Sequence, residues 1–503
     1  MLRRLVVVGS LFLVGACGHS ADETANRGST SATGGTSGAN SNTQQQNGTL
    51  TGGSTSTGGA GSGNGGTSSL GGAASGTGGT QSGATSSTGS TAGSGGSPAT
   101  GGSSTVSTGG TDPVGHPGPP YTYPQNNRSN NCVYPATAHS GDAKVAYALW
   151  KSKLITTDGA GGNQRVIRPD NENNATNTTV SEGIGYGMIL AVAMDDQPLF
   201  DNLWKYSQLH LNSNGLMIWL IDSSGNPGIE DTSTNRAAVG SATDADEDIA
   251  WALAQAAQKW AGKGSLSTDY LTLAKSQISK IWNTEVDHSG VDLINAGDSW
   301  GTTFAWNPSY FAPNEYRTFA KLDTANSAGW NRIIDKGYTV LAASQNTTTG
   351  LFPAWTNAAG APTPAWTGAP TNYQYDAARV PFRIGLDYCD NGDARAKTIL
   401  GKTSSFFSNV GASGIVDGYG LTGSATPENT SPTGVQSALF VGAAGVGAMS
   451  SSSYQTFVNS VYVRLVTQPD SLMLPKSYYF NLSWKVFSLL MMSGNLFDYA
   501  LHP

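Results

Sequence analysis

The sequence predicts an all-α fold, an (α/α)6 barrel of twelve helices, preceded by a disordered linker rich in Gly, Ser and Thr. Apolar residues recur with the period of a helix in twelve segments after residue 119. The connections between these segments alternate between short and long. Residues 17–118 contain hardly any large apolar side chain, so they have little to bury in a core.

The first 16 residues have the pattern of an export signal. Two arginines precede an apolar run that is too short to span a bilayer, and small residues stand directly before Cys17. The ending VGAC resembles a bacterial lipoprotein signal, in which Cys17 becomes the lipid-bearing N-terminus after cleavage. Ordinary signal cleavage beside an incidental cysteine is the alternative. Because Gly18 and not aspartate follows, we expect a lipid-anchored protein at the outer membrane or cell surface, or one released as a secreted protein.

The segment 17–118 predicts a flexible tether. Its composition cannot bury enough surface to offset the loss of chain entropy on folding. The blocks TGG and SGG recur without a fixed period, which indicates low complexity and not a solenoid. The whole chain has a net charge of −7 and no basic stripe, so nucleic acid is not an expected partner.

Residues 119–503 predict one large domain, because no second linker interrupts them. We expect it to be a monomer. Its two cysteines, Cys132 and Cys389, are compatible with a single disulfide in an exported protein. Two separate buried thiols are the alternative, so the pairing stays open at this point.

The links between the predicted helices indicate how the helices are arranged. The predicted ranges are 142–153, 184–194, 197–210, 246–262, 266–282, 313–324, 328–344, 377–389, 392–408, 434–446, 450–466 and 483–496. Links from an even-numbered helix to the next odd-numbered one are short, as at 195–196, 263–265 and 390–391, whereas most others run to roughly twenty residues. Short links make antiparallel neighbours, so the long loops collect at one end of a barrel.

Four polar residues fall at this same end of successive even-numbered helices. Glu182 is expected just before helix two, Asp244 just before helix four, Tyr310 just before helix six, and Asp376 at the start of helix eight. A carboxyl group at a helix start can also be a simple cap, and this is the structural alternative for Glu182.

Tryptophans accumulate in the long loops at the same end. Flat aromatic faces beside carboxyl groups suggest a carbohydrate cleft, because sugar rings present apolar faces for stacking and hydroxyls for hydrogen bonds. Burial of the loop itself is the alternative role for any single one of them. The loop tryptophans are Trp219, Trp300, Trp306, Trp355 and Trp366.

The most distinctive stretch is residues 242–253, ATDADEDIAWAL. The spacing of its aspartates is similar to that of an EF-hand calcium loop. Ile249 stands at the position where that loop needs a glycine, so no metal is expected. This stretch resembles the signature of glycoside hydrolase family 8. Three further segments resemble other motifs of that family in the expected order: 181–188 (SEGIGYGM), 307–311 (NPSYF) and 375–383 (YDAARVPFR).

The resemblance implies a barrel whose cleft hydrolyses β-1,4-linked polysaccharide with inversion at the anomeric carbon, without a cofactor. Glu182 matches the general acid that protonates the glycosidic oxygen. Asp376 matches the general base that activates water. Asp244 matches the third acid, which binds the sugar at the cleavage point. An inverting pair stands about 6.5–9.5 Å apart.

Substrate contacts follow from the same motifs. Arg379 lies one helical turn from Asp376 and is expected to pair with it, although a helix-surface ion bridge is the simpler alternative. Tyr310 resembles the tyrosine that helps to hold the water, and Tyr375 a neighbour in the same subsite. The remaining expected sugar-binding residues are Trp219, Trp300 and Trp306.

The segment NPSYF together with Asp376 resembles the glucanase branch of this family. The resemblance favours an endo-β-1,4-glucanase that acts on cellulose or mixed-linkage β-glucan. An endo-xylanase of the same family is the nearest alternative, because xylose differs from glucose by one hydroxymethyl group. A polysaccharide lyase and a non-catalytic surface glycan-binding protein are alternatives from other classes. A lyase would need cationic residues to hold a uronic acid, and a binding protein would not need three acids.

Overall fold

The computed structural model describes residues 121–170, 175–300, 305–366, 368–426, 436–468 and 478–502. The predicted signal segment 1–16, the predicted tether 17–118 and Cys17 lie outside the described residues. Within the described part, no helix is both long and apolar enough to cross a membrane.

Twelve helices of more than two turns occur among the described residues, as the periodicity predicted. A four-residue helical turn, Tyr375–Ala378, directly precedes the eighth. The bounds are α1 Ser140–Leu154, α2 Ser181–Ala193, α3 Gln197–Ser207, α4 Thr243–Trp260, α5 Tyr270–Thr284, α6 Pro313–Leu322, α7 Ser327–Ser344, α8 Val380–Asn391, α9 Ala394–Val410, α10 Ala438–Ala448, α11 Gln455–Thr467 and α12 Tyr478–Ser493.

The even-numbered helices form a closed inner ring, and the odd-numbered helices form an outer ring. Each even helix packs against the next, and α12 closes the ring on α2. Each odd helix packs on the outside of an inner helix. Every residue of α2 and α10 is buried, as expected for helices packed on all sides. The architecture is therefore the predicted (α/α)6 barrel.

Small residues permit the close approach of the inner helices. A Cβ atom added at Gly185 of α2 would lie 2.8 Å from the Cβ of Asp248 in α4. Such a contact is too short for two carbon atoms, so a glycine is required where these helices meet. The packing of α2 on α4 sets the distance between Glu182, in the first turn of α2, and Asp244, in the first turn of α4.

Helix caps account for two differences from the predicted links. The link placed at 263–265 spans 261–269, because Asp269 caps α5 by accepting from the backbone N–H of Thr272. The link placed at 390–391 is Gly392 and Asp393. Gly392 ends α8 in the left-handed conformation at φ 68°, and Asp393 caps α9.

Short antiparallel strands lie in the long loops, where the sequence predicted little beyond helices. Their pairs are β1 Ile155–Thr156 with β2 Arg165–Val166, β3 Thr179–Val180 with β4 Leu220–Ile221, and β5 Ile229–Asp231 with β6 Arg236–Ala237. The second pair ends where α2 begins, because the backbone N–H of Ser181 donates to the carbonyl of Trp219 at 2.9 Å. These pairs hold the loops in place at the end of the barrel.

Cys132 and Cys389 form a disulfide, which settles the alternative that the sequence left open. Their Cα atoms are 5.2 Å apart. The bond joins the segment before α1 to the inner helix α8.

Candidate active site

Arg379 is the centre of a cluster of three acidic side chains. Its Nη1 donates to Oε2 of Glu182 and to Oδ2 of Asp244, each at 2.8 Å. Its Nη2 lies 3.3 Å from Oδ1 of Asp376. The guanidinium is only 1% exposed, so the cluster is shielded from solvent. The predicted pair with Asp376 is present, but it is the longest of the three contacts.

The barrel brings these residues together from different inner helices. Glu182 and Asp244 lie in the first turns of α2 and α4, and Asp376 is the second residue of the turn before α8. Two predictions need correction, because Glu182 and Asp244 are inside their helices and not just before them. For Glu182 the reason is Val180, whose extended backbone pairs with Leu220 and makes the helix start early.

Further polar groups satisfy the cluster. Ser309 accepts from Nη2 of Arg379 at 2.7 Å, and Tyr186 accepts from Nη1 at 3.1 Å. Asn307 donates through Nδ2 to Oδ2 of Asp376 at 3.4 Å. Ser309 and Asn307 belong to the turn that contains Tyr310, which lies before α6 as predicted. The NPSYF segment therefore supplies contacts to both the arginine and an acid.

Tyr479 is a further member of the cluster that was not predicted from the sequence. Its hydroxyl donates to Oε1 of Glu182 at 2.7 Å. Tyr479 belongs to α12, which was predicted to begin only at residue 483, so this tyrosine fell outside the helix. The rule that found the acids, a polar residue at the start of an even-numbered helix, would have found it with the observed helix range.

The charges in the cluster favour an ionised arginine. Burial by itself lowers the pKa of Arg379, but the carboxyl groups of Asp244, Glu182 and Asp376 raise it well above its usual range. Burial raises the pKa of the Tyr186 phenol well above its usual range, so this tyrosine is neutral. Three carboxyl groups thus share one buried cation, Arg379.

A cleft of about 670 Å³ opens beside the cluster. Glu182, Asp244 and Tyr310 line it. Four of the loop tryptophans form part of its wall: Trp219, Trp300, Trp355 and Trp366. The Trp300 and Trp355 rings stack with centroids 5.9 Å apart, and Trp366 meets Trp355 edge to face at 5.7 Å. An aromatic wall beside acidic groups is suited to a sugar chain.

Two predicted sugar-binding residues are placed behind this wall. Trp306 is 3% exposed and packs against Phe311 in the main core, held there by backbone pairing with Thr356. Tyr375 is buried and donates its hydroxyl to Asp417 at 3.2 Å. Neither is among the residues that line the cleft, and the same holds for Arg379 and Asp376, which belong to the cluster beside it.

The cleft surface is acidic. Among the described residues that line it, the charged ones are Glu182, Glu230 and Asp244, and none is basic. No group of three or more His, Cys, Asp or Glu side chains in the described part could hold a metal ion.

The arrangement can perform acid–base hydrolysis. Glu182 and Asp376 bind different nitrogens of one guanidinium, so its width and two hydrogen bonds set the upper limit of the distance between the bonded oxygens. This geometry is compatible with the ~6.5–9.5 Å between the carboxyl groups of an inverting glycosidase.

The sequence model of the glycosyl hydrolases family 8 matches residues 122–494. The chain belongs to this family. It is 38% identical over 388 residues to endoglucanase C of Ruminiclostridium cellulolyticum, covering 76% of this chain and 78% of the relative. It is 39% identical over 355 residues to endoglucanase A of Acetivibrio thermocellus, covering 70% and 69%.

Solved structures agree with the family 8 assignment. The apo β-1,3-1,4-glucanase from Paenibacillus sp. X4 matches with a TM-score of 0.66 at 31% identity, covering 76% of this chain and 100% of that one. Rex8A from Paenibacillus barcinonensis, in complex with xylose, matches with a TM-score of 0.59 at 20% identity, covering 70% and 93%. The second match shows a shared fold only. The protein is therefore a family 8 glycoside hydrolase with an (α/α)6 barrel.

Proposed function

We propose that this family 8 hydrolase cleaves β-1,4 linkages inside chains of neutral β-glucan, either cellulose or mixed-linkage β-glucan, with inversion. The observation that carries the proposal is the set of three acids on Arg379 beside a tryptophan-lined cleft. The endoglucanase and β-1,3-1,4-glucanase names of the relatives support glucan as the substrate.

Glu182 is the proposed general acid. It lines the cleft, and it lies beside Asp244 on the same guanidinium nitrogen. Inverting hydrolysis requires the acid to hold a proton when the substrate binds. From this position Glu182 transfers the proton to the glycosidic oxygen as the bond to the leaving sugar breaks.

Asp376 is the proposed general base. Arg379 and Asn307 both donate to its carboxyl group, which stabilises the ionised form that can accept a proton. It takes a proton from a water molecule that attacks the anomeric carbon from the face opposite to the leaving group. Tyr310, whose ring lies under the Arg379 guanidinium at 5.3 Å, is placed to help orient that water.

Asp244 is proposed to bind the sugar at the cleavage point. It lines the cleft, and its Oδ2 is fixed by Arg379. An ionised carboxylate accepts hydrogen bonds from sugar hydroxyls. Such bonds are most valuable when they strengthen as the ring distorts toward the transition state.

The charge of the cleft supports a neutral substrate. Three acidic side chains and no basic one are present among its described lining residues. A uronic acid would meet no basic side chain among these lining residues, whereas a lyase needs cationic groups to hold one. This favours neutral glucan over acidic polysaccharides and argues against the lyase alternative.

We also propose that Cys17 carries lipid and that the protein is an exported, monomeric lipoprotein at the outer membrane or cell surface. The support is the sequence alone, namely the VGAC ending and the Gly, Ser and Thr composition of residues 17–118. The tether would let the barrel reach insoluble substrate away from the membrane.

Hydrolysis of a substrate panel tests the function. Reducing-sugar release is measured with a soluble cellulose derivative, barley β-glucan, xylan and chitosan. We expect the fastest release from one of the two glucans, with viscosity falling well before most bonds are cut, as for an endo-acting enzyme. Faster release from xylan would establish a xylanase, and binding without release would establish a glycan-binding protein.

A further inference from the structure

We propose that Glu230 and Arg236 act as positioning residues that fix the indole plane of Trp219 in the cleft. Trp219 would then offer a preset stacking face to the glucan chain. The inference rests on the proposed function, since it concerns how the same cleft holds its substrate. It assigns a role to the β5–β6 hairpin, which supplies none of the contacts to Arg379 described above.

The backbone of Trp219 is fixed between two catalytic segments. Its carbonyl accepts from the N–H of Ser181, the neighbour of Glu182, at 2.9 Å. Its N–H donates to the carbonyl of Gly240 at 3.0 Å, in the loop that leads to Asp244. A sugar stacked on this indole would lie next to the cleavage point. The backbone contacts leave the rotation of the indole to be fixed by other groups.

Glu230 supplies that constraint. Its Oε2 accepts from Nε1 of Trp219 at 2.9 Å. Both side chains line the cleft, and both are buried, Glu230 at 7% exposure and Trp219 at 6%. A buried indole N–H that loses its acceptor costs free energy. The hydrogen bond to Glu230 therefore favours the one ring orientation in which it can form.

Arg236 holds Glu230 in turn. Its Nη1 pairs with Oε1 of Glu230, leaving Oε2 to the indole. Glu230 lies on β5 and Arg236 on β6, and the hairpin register shifts between Ile229 and Asp231. Such a shift of register changes the direction of the side chains beside it, here that of Glu230. The ion pair also compensates the buried carboxylate, which would otherwise be costly to keep ionised.

A direct contact between Glu230 and the sugar is the competing role for the same carboxylate. The two roles differ in their dependence on the indole N–H. A positioning role acts through Nε1 of Trp219 and disappears when that nitrogen is removed. A direct contact remains whatever ring stands at position 219.

A double-mutant cycle separates the two roles. The variants are Glu230→Ala, Trp219→Phe and the combination of both, measured on barley β-glucan. We expect Glu230→Ala to raise KM about three- to tenfold with kcat within about twofold of wild type. In the Trp219→Phe background, Glu230→Ala should change KM by less than about 1.5-fold, because phenylalanine has no N–H to hold. Independent, multiplying effects on KM would overturn the proposal.

A second cycle keeps the test decisive if Glu230→Ala does not fold. Arg236→Gln should raise KM in the Trp219 enzyme and leave it unchanged in the Trp219→Phe background. Glu230→Gln, whose amide oxygen still accepts from the indole, should recover most of the affinity. An equal effect of Arg236→Gln in both backgrounds would show that the pair only stabilises the hairpin.

Asp335→Ala is the matched control for loss of an ion pair. Asp335 pairs with Arg395 on the outer helices, and it does not line the cleft. Its KM should equal that of wild type. Failure of the inference is distinguishable from failure of the proposed function. A wild-type enzyme that does not hydrolyse glucan contradicts the function, whereas an active enzyme with an unchanged KM in Glu230→Ala contradicts only the positioning role.

Discussion

The hydroxyl of Tyr479 donates a hydrogen bond to Oε1 of Glu182 at 2.7 Å. This bond joins the last inner helix to the first, across the point where the ring closes. It fixes the carboxyl group whose other oxygen binds Arg379. The orientation of Glu182 thus depends on contacts from α12, the last inner helix, as well as on Arg379.

Tyr479→Phe should lower kcat roughly tenfold, because the acid loses one of the contacts that orient it toward the glycosidic oxygen. KM should change little, since Tyr479 is not among the residues that line the cleft. Steady-state kinetics on barley β-glucan measure both constants. An unchanged kcat would mean that Arg379 alone orients Glu182.

Glu182→Gln should reduce turnover by at least about 100-fold while glucan binding persists, because the amide keeps the shape of the side chain and has no proton to transfer. Turnover is measured by reducing-sugar release, and binding by affinity electrophoresis in glucan gels. A loss of less than about tenfold would assign the acid to another residue.

Glu247→Gln is the matched control for that variant. Glu247 lies on α4, three residues after Asp244, and accepts from the hydroxyl of Tyr316 at 2.6 Å. Burial raises the pKa of Glu247 well above its usual range, which favours the neutral form of its carboxyl group. A neutral amide in its place should leave activity near that of wild type.

The first product of glucan hydrolysis should be the α-anomer. If Asp376 activates water on the face opposite to Glu182, the β-linkage is inverted in a single displacement. Proton NMR in the first minutes, before mutarotation mixes the anomers, detects the product directly. Initial formation of the β-anomer would indicate a covalent intermediate and would remove Asp376 from the role of base.

Glu285→Gln should make the free energy of unfolding fall less steeply as the pH rises. Burial raises the pKa of Glu285 to about 8, well above the usual range of a glutamate. The folded protein therefore keeps a proton that the unfolded chain releases above about pH 4.5. The stability from this proton is complete below pH 4.5 and is lost as the pH rises toward 8, by up to about 1.4 kcal/mol per pH unit.

Thermal unfolding of both proteins between pH 5 and 8 checks this expectation. The variant keeps an oxygen that can accept from Ser241, whose Oγ lies 2.7 Å from Oε1 of Glu285. Parallel stability curves for the two proteins would show that Glu285 does not carry the pH dependence.

Cys17→Ser should move the protein from the membrane fraction to the soluble fraction. A bacterial lipoprotein carries several acyl chains on one cysteine, which gives firm attachment, whereas a single chain binds marginally. Fractionation and metabolic labelling with a fatty acid measure the change. An unmodified wild-type protein in the soluble fraction would refute the anchor.

Local sequence patterns predicted the barrel well, because each inner helix must be apolar on several faces. They placed Glu182, Asp244 and Asp376 at one end because all three fall near the starts of even-numbered helices, which point in the same direction. The position of Arg379 was only partly predictable. Its spacing from Asp376 is visible in the sequence, but its shorter contacts, to Glu182 and Asp244, come from other helices and depend on how the ring closes.

Loop conformation was the least predictable part. Nothing in the local sequence separates Trp306, which enters the core, from Trp300, which lines the cleft. The difference arises from backbone pairing between Trp306 and Thr356, 50 residues apart along the chain. The contact of Glu230 with Trp219 was missed in the same way, because it depends on the register of the β5–β6 hairpin.

The disulfide between Cys132 and Cys389 makes resistance to unfolding depend on where the chain matures. It spans 257 residues of sequence, a loop long enough for the cross-link to remove roughly 5 kcal/mol of unfolded-state entropy in the chain-entropy model. Thiols in the cytosol are kept reduced, so a copy retained there would lack this contribution. If the chain is exported, as proposed, the barrel would gain this resistance to heat and proteases when the disulfide forms in an oxidising compartment.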